Sequence, residues 1–321
     1  MESSPTLDDI HQAGARIKPY VRRTPLLDAG ELNGRLGCQV FLKPESFQIT
    51  GSFKARGAFS KSLLLGPEER ARGIITSSSG NHAQAMAYVG TVINAKVVIV
   101  IPRDAPKVKI ERTRALGAEV ILFQGDQASR WAYVAELGRK NGYSLVHAFD
   151  DPMVMAGQGT IALEVMEDLA DLHTIVVPLG GGGLLSGIAT AIKETAPQVR
   201  VVGVEPLLAP KFQVSRRLGR PTTVPAGNTI ADGVKAEVPY PRAHAILERY
   251  VDEIVLVEEE CIKEGLRLLA EEAKLFVEGA AAVGIGAALS GKIKVSPSDK
   301  VCFVLSGGNW DLHHFMAAVH G

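Results

Sequence analysis

The sequence predicts an α/β fold of the doubly wound kind, with mainly parallel sheets covered by helices. Two observations carry this. Short runs rich in β-branched residues recur along the chain: RGIITS, AKVVIVIP, AEVILFQ, HTIVVPL, VRVVGVE and KVCFVLS. They are apolar throughout rather than alternating, as expected of parallel strands buried on both faces. Helical patterns lie between them, and such alternation gives βαβ units.

Taken in order, RGIITS ends at the loop SSSGNH and the helical stretch AQAMAYVG follows. AKVVIVIP leads to PKVKIERTRAL, and AEVILFQ to SRWAYVAELGRK. HTIVVPL runs into four glycines and the helical stretch LSGIATAIKETA, then VRVVGVE; KVCFVLS ends at SGGN. The run from Gly73 to His147 is long enough for a sheet of its own. It predicts a small lobe over 73–147, with 1–72 and 148–321 forming a larger one. Ligands of open α/β sheets collect at the carboxyl ends of the strands, where these loops fall.

Composition narrows the function. The 321 residues are 46% hydrophobic and 22% charged, with 35 basic and 35 acidic side chains and a net charge of zero. That balance argues against a nucleic-acid or membrane-surface partner. Cys38, Cys261 and Cys302 are far apart in apolar surroundings, the pattern of buried thiols in a reducing compartment. No Cys or His spacing suits a metal. The start MESSPTLDDIHQ is too acidic for a leader, and AAAVGIGAAL is too short to span a bilayer. A soluble, cytoplasmic protein is expected.

In PLGGGGLLSG, four glycines follow a strand and open a helix. Backbone amides without Cβ atoms and a helix N-terminus make an anion site, and a phosphate suits it. A nicotinamide cofactor is the rival: Glu205 ends the next strand 22 residues after Gly183, close to the spacing of a ribose-binding acid. The glycines read G-x-G-x-x-x-G instead of G-x-G-x-x-G, which weakens that reading. In SSSGNHA, Ser78, Ser79, Asn81 and His82 gather polar groups at a strand-to-helix turn. One of them would suffice as a cap; several suit a carboxylate. Ser306 ends the last strand before a glycine pair. In TGSFKARGA, Lys54 is one amine among small residues. Amine, phosphate cradle, carboxylate cradle and hydroxyl together form the set that a lysine Schiff base to pyridoxal phosphate needs.

The chain resembles the fold-type II pyridoxal-phosphate enzymes, of tryptophan synthase β-like fold, in the branch of serine/threonine dehydratases (threonine ammonia-lyases) and serine racemases. The motifs are RRTPLL, TGSFKARGA, SSSGNHA, DDPMVMAGQGTIALEV, the glycine tetrad, NTIADGVK, VEGAAAVG and VLSGGN, in that order and nearly end to end. The resemblance implies two lobes, each with a mainly parallel twisted sheet flanked by helices. It implies that Lys54 carries the cofactor and moves the α-proton. Phe53 would lie beside the ring, and Asn81 would hydrogen-bond the ring hydroxyl. Gly180, Gly181, Gly182, Gly183 and Leu184 hold the phosphate, Ser306 faces the ring nitrogen, and Glu278 belongs to the cofactor-binding set. Ser78, Ser79, Asn81 and His82 take the substrate carboxylate. Ser79 stands where racemases of the family deliver a proton to the opposite face. Arg130 matches an arginine of the racemase and hydroxyaspartate-dehydratase pattern; a solvated helix residue is the alternative.

The implied reaction is β-elimination of water from L-threonine or L-serine, giving a 2-oxo acid and ammonia. Serine racemisation and dehydration of 3-hydroxyaspartate or phenylserine are the alternatives within the family; a nicotinamide dehydrogenase is the one outside it. Metal-dependent relatives place an aspartate where this chain has Lys211, so its ammonium beside Glu205 is expected to replace a divalent cation. Trp310 is bulkier than the family's aliphatic residue and is expected to reshape the pocket. The resemblance also implies a homodimer, and no C-terminal regulatory domain is expected after SGGN.

Overall fold

The computed structural model describes residues 4–320. Its strands are β1 (Leu27–Asp28), β2 (Gln39–Pro44), β3 (Ile74–Ser77), β4 (Val97–Pro102), β5 (Glu119–Phe123), β6 (Ser144–Leu145), β7 (Thr174–Pro178), β8 (Arg200–Pro206), β9 (Glu253–Val257) and β10 (Lys300–Leu305). Two sheets result. One runs β1-β2-β10-β7-β8-β9 and the other β5-β4-β3-β6. Every pairing is parallel except β1 with β2 at one edge. The expected α/β architecture of parallel sheets is present, and each of the six apolar runs is a strand.

Burial explains the continuous apolar runs. Along β4, Val97, Ile99 and Ile101 join one core with Met86, Val89 and Phe59, while Val98 and Val100 join another with Val134. Along β10, Val301, Phe303 and Leu305 face one core, and Cys302 and Val304 the opposite one. A strand covered on both sides takes a polar residue only where a partner is buried with it. Cys302 is thus a small core hydrophobe, as read from its context. The core of the smaller sheet also takes in Ile17, Ala55, Phe59 and Val154 from helices outside 73–147.

The strand order reverses at β7 in the larger sheet and at β3 in the smaller. In the larger, β8 and β9 extend to one side of β7, and β10 lies on its other side. In the smaller, β4 and β5 extend to one side of β3, and β6 lies on its other side. Each such switch point opens a crevice at the carboxyl ends of the strands. The loops after β3, β6, β7 and β10 therefore come to the two crevices.

Helix packing sets the height of the Lys54–Ser62 helix. The Pro152–Asp168 helix starts on Asp151, whose Oδ1 accepts the amides of Met153 at 2.7 Å and Val154 at 3.2 Å, with Pro152 in its first turn. Its GQG sequence allows close crossings. A Cβ on Gly157 would sit 2.6 Å from Arg56 O, and one on Gly159 would sit 2.8 Å from Gly187 O. The contact is fastened by Arg56, fully buried, whose guanidinium forks to Glu45 (2.8 Å to each oxygen) and Glu164 (2.6 and 2.9 Å). Lys43 Nζ joins Glu164 at 2.7 Å. Two cations and two carboxylates thus balance in a buried cluster. Among the described residues, no helix is long and apolar enough to cross a membrane.

Candidate active site

The loops at both switch points enclose a cavity of about 290 Å³. The fourteen residues that the resemblance assigns to cofactor or substrate all line it: Phe53 and Lys54; Ser78, Ser79, Asn81, His82 and Arg130; the glycine tetrad with Leu184; Glu278 and Ser306. Lys109, Trp131, Phe149, Asp232, Asn309 and Trp310 complete the wall.

The lysine loop is strapped to the end of β10. Ser52 bridges Gly307, Phe53 N–H donates to Ser306 O at 3.1 Å, and Gly308 N–H donates to Gly51 O at 3.0 Å. Lys54 then opens its helix, and its Nζ donates to Ala148 O at 2.7 Å. Loss of solvation pulls this amine down to about 8, against the charge of Glu278. At neutral pH about a tenth of it is unprotonated, against under about a thousandth for an ordinary lysine. That fraction is what a nucleophilic amine needs.

The glycine loop leaves β7 and starts the Gly183–Thr195 helix. Among the described residues, the amides of Gly180 to Leu184 find no acceptor. Side chains are excluded on the far side of the loop. A Cβ on Gly181 would enter the Phe149 ring, one on Gly183 would lie 2.7 Å from Phe149 O, and Gly182 has φ 89°. The loop is thus pressed against protein on one side and offers unpaired N–H groups on a helix N-terminus.

After β3, the polar loop opens the Asn81–Ile93 helix. Ser78 Oγ accepts Gly80 N–H at 3.2 Å, while the Ser79 hydroxyl has no protein partner among the described residues. His82 is buried, with Nε2 3.1 Å from Thr76 Oγ1 and Nδ1 without a partner. Burial and the Lys54 charge hold it well below the usual histidine range, so it is a neutral ring. Arg130 turns inward instead of into solvent: its Nε donates to Ser77 Oγ at 2.8 Å, and loss of solvation pulls its guanidinium below the usual arginine range.

Sequence reasoning gave no role to Asn309, Asp232 or Lys109. Asn309 was visible only as the last letter of SGGN. Asp232 lies in NTIADGVK and pairs with Lys109 at 2.7 Å across the cavity wall. Glu278 is buried, and desolvation followed by the Asp232 charge pushes it up to about 7, opposed by hydrogen bonds from Asn81 and the Asn309 amide. The wall beyond Lys54 is aromatic: Trp131 stacks on His147 at 4.0 Å, and Phe149 meets His147 edge-on at 4.7 Å.

Glu205 is not in this wall. It is fully buried, takes Lys211 Nζ at 2.9 Å, and accepts the amides of Phe212 at 3.1 Å and Gln213 at 2.9 Å. An acid so engaged has no oxygen for a ribose, which removes the basis of the nicotinamide reading. Lys211 Nζ also reaches Leu179 O at 3.4 Å and Val234 O at 3.5 Å, below the glycine loop.

Comparison with known proteins agrees with this geometry. The chain is 44% identical over 308 residues to the L-threonine ammonia-lyase of Thermotoga maritima, covering 96% of this chain and 76% of that protein. It is 41% identical over 320 residues to a catabolic L-threonine dehydratase of Staphylococcus aureus, covering 98% and 92%. Among solved structures, maize serine racemase superposes with a TM-score of 0.93 at 35% identity, covering 99% of this chain and 98% of that one. A family model described as pyridoxal-phosphate dependent enzyme matches residues 17–307, nine-tenths of the sequence, and the chain belongs to that family.

Proposed function

We propose that this chain removes water from L-threonine or L-serine and releases a 2-oxo acid and ammonia. The observation that carries the reading is the partly neutral Lys54 amine, in one cavity with five unpaired loop amides. Two relatives named for threonine deamination support it.

Pyridoxal phosphate fits the residues present. The free amides of Gly180 to Leu184 would take its phosphate. Lys54 would bind its carbonyl carbon, Phe53 would lie beside its ring, and Asn81 would donate to the ring oxygen. Ser306 would face the ring nitrogen, with Glu278 completing the wall. When bound, the cofactor supplies an electron sink for the substrate's α-carbon.

The chain's own groups do the rest. The amides and side chains of Ser78, Ser79, Asn81 and His82 would hold the substrate carboxylate at the helix start. Lys54, freed by the incoming amine, would accept the α-proton in its neutral form, which burial makes more accessible than in an ordinary lysine. Ser306 is a neutral hydroxyl and would leave the ring nitrogen without a counter-charge, which favours quick loss of the β-hydroxyl over long-lived charge storage. Phe149 and Trp131 would keep water from the reacting carbon.

Serine racemisation is a second reading. It draws on Ser79, whose hydroxyl lines the cavity without a protein partner and could return a proton from another side. Chiral chromatography of serine after incubation tests it. Arg130 would meet a second carboxylate if 3-hydroxyaspartate were the substrate. Residues 73–147 would act as the smaller lobe. A homodimer belongs to the reading and is checked by sedimentation. The three free thiols suit a reducing cytoplasm. Release of 2-oxo acid from L-threonine or L-serine tests the main reading; none from either, with cofactor bound, refutes it.

A further inference from the structure

Both ends of the Asn81 amide are engaged. Its Nδ2 donates to Glu278 Oε1 at 2.7 Å, and its Oδ1 accepts from Asn309 Nδ2 at 2.9 Å. Asn309 closes the ring. Its backbone N–H donates to Glu278 Oε2 at 3.3 Å, and its Nδ2 also donates to Thr50 O at 2.7 Å. The sense of these bonds follows from chemistry. A backbone carbonyl only accepts, so Asn309 must turn its NH₂ edge to Thr50. That edge also faces Asn81, which must answer with oxygen. The NH₂ of Asn81 is then aimed at a carboxylate. One of its two N–H bonds is used there, and the other remains.

The surroundings are built around this ring. A Cβ on Gly51 would overlap Asn309 Oδ1, and one on Gly307 would lie 3.0 Å from Glu278 Oε1. Thr50, whose carbonyl anchors the relay, has φ 64°, where a β-branched residue stays only if held. The ring therefore ties four loops together at the cavity wall: the lysine loop, the polar loop after β3, the start of the Gly279–Leu289 helix, and SGGN.

We propose that Asn309 and Glu278 are positioning residues. They lock Asn81 with its oxygen turned away and its remaining N–H turned into the cavity, towards the ring oxygen of the cofactor. The proposal rests on the cofactor-binding role given to Asn81 above. A free asparagine presents either edge with similar ease; this one has a single allowed sense.

The test is a mutant cycle read without substrate. Binding of pyridoxal phosphate to the apo-protein is measured by equilibrium dialysis, and the tautomer ratio of the bound cofactor from its absorbance bands. Asn81→Ala and Asn309→Ala are each expected to weaken binding about fivefold, the worth of one neutral hydrogen bond, and to shift the ratio in the same direction. The double variant is expected to be no worse than Asn81→Ala alone. Losses that multiply, to about twenty-fivefold, would overturn the proposal, because Asn309 would then act on something other than Asn81. If Asn309→Ala does not fold, Glu278→Gln carries the test. It keeps the shape but can accept at only one of the two oxygens that now take Asn81 Nδ2 and the Asn309 amide, so the ratio is expected to move; an unchanged ratio overturns the role of Glu278. No outcome depends on which amino acid is turned over, so failure of the deamination reading and failure of this one are separate results.

Discussion

Lys211→Met is the perturbation whose size is best defined by the structure. Lys211 and Glu205 are both fully buried, 2.9 Å apart. Burial draws the ammonium below the usual lysine range, and Glu205 opposes this. Methionine fills the same space and strands the carboxylate. Breaking a buried pair from one side costs about 3–5 kcal/mol. Glu205 keeps two backbone amides, which places the cost at about 3 kcal/mol. With about 2.1 cal/mol/K of unfolding entropy per residue over 321 residues, roughly 0.7 kcal/mol/K, the melting temperature falls by about 4–5 °C. The assay is a thermal melt of the parent, Lys211→Met, and Lys211→Met with Glu205→Gln. The double variant regains part of the loss, because a neutral amide has no charge to strand. A single variant that melts within about 1 °C of the parent, or a double variant no better than the single, would refute the reasoning. We propose that the same ammonium takes the place of a cation; a chelator is then expected to leave wild-type activity unchanged.

Three other outcomes follow. Gly181→Ala drives a methyl into the Phe149 ring and should cost at least about tenfold in cofactor affinity, read by dialysis, together with about 1–3 kcal/mol of stability from overpacking. Because the neutral amine is the reactive form and burial lowers Lys54 to about 8, the rate of cofactor capture by the apo-protein should rise with pH and level off above about 8; a rise that continues to the usual lysine range contradicts the buried placement. Arg56→Lys keeps one charge but loses the fork to Glu45 and Glu164, so urea denaturation should show a loss of about 2–3 kcal/mol.

How far the sequence could be read depends on the range of each interaction. Five of the six apolar runs were legible because a strand buried on both faces leaves a continuous signature; β5, at a sheet edge, is apolar although Leu122 is exposed. β2 is not among those runs, since it carries Lys43, a charge whose partner Glu164 lies 121 residues away. β9, EIVLV, lies just ahead of a run of glutamates and was not singled out; β1 and β6 have two residues each, too few for any period to show. Lys54, the glycine tetrad and Ser306 each belong to a local loop with its own chemistry, and each lines the cavity. Arg130 was undecided between solvent and site because a helix face does not reveal what lies opposite. Asn309 meets Asn81 across 228 residues, and Lys109 meets Asp232 across 123; local spacing carries no trace of either. The rival ribose-binding role of Glu205 fails for a local reason: its partners Lys211, Phe212 and Gln213 open the helix that follows.

The central claim is that the Lys54 amine drives deamination of a 3-hydroxy amino acid. It is tested most directly by 2-oxo acid and ammonia release from L-threonine, L-serine, 3-hydroxyaspartate and phenylserine, each with wild-type protein and Lys54→Ala. Equal amounts of the two products from L-threonine or L-serine, abolished in the variant, are the predicted result. Release that persists in Lys54→Ala, or none from any of the four by wild-type protein with its cofactor bound, would contradict the account.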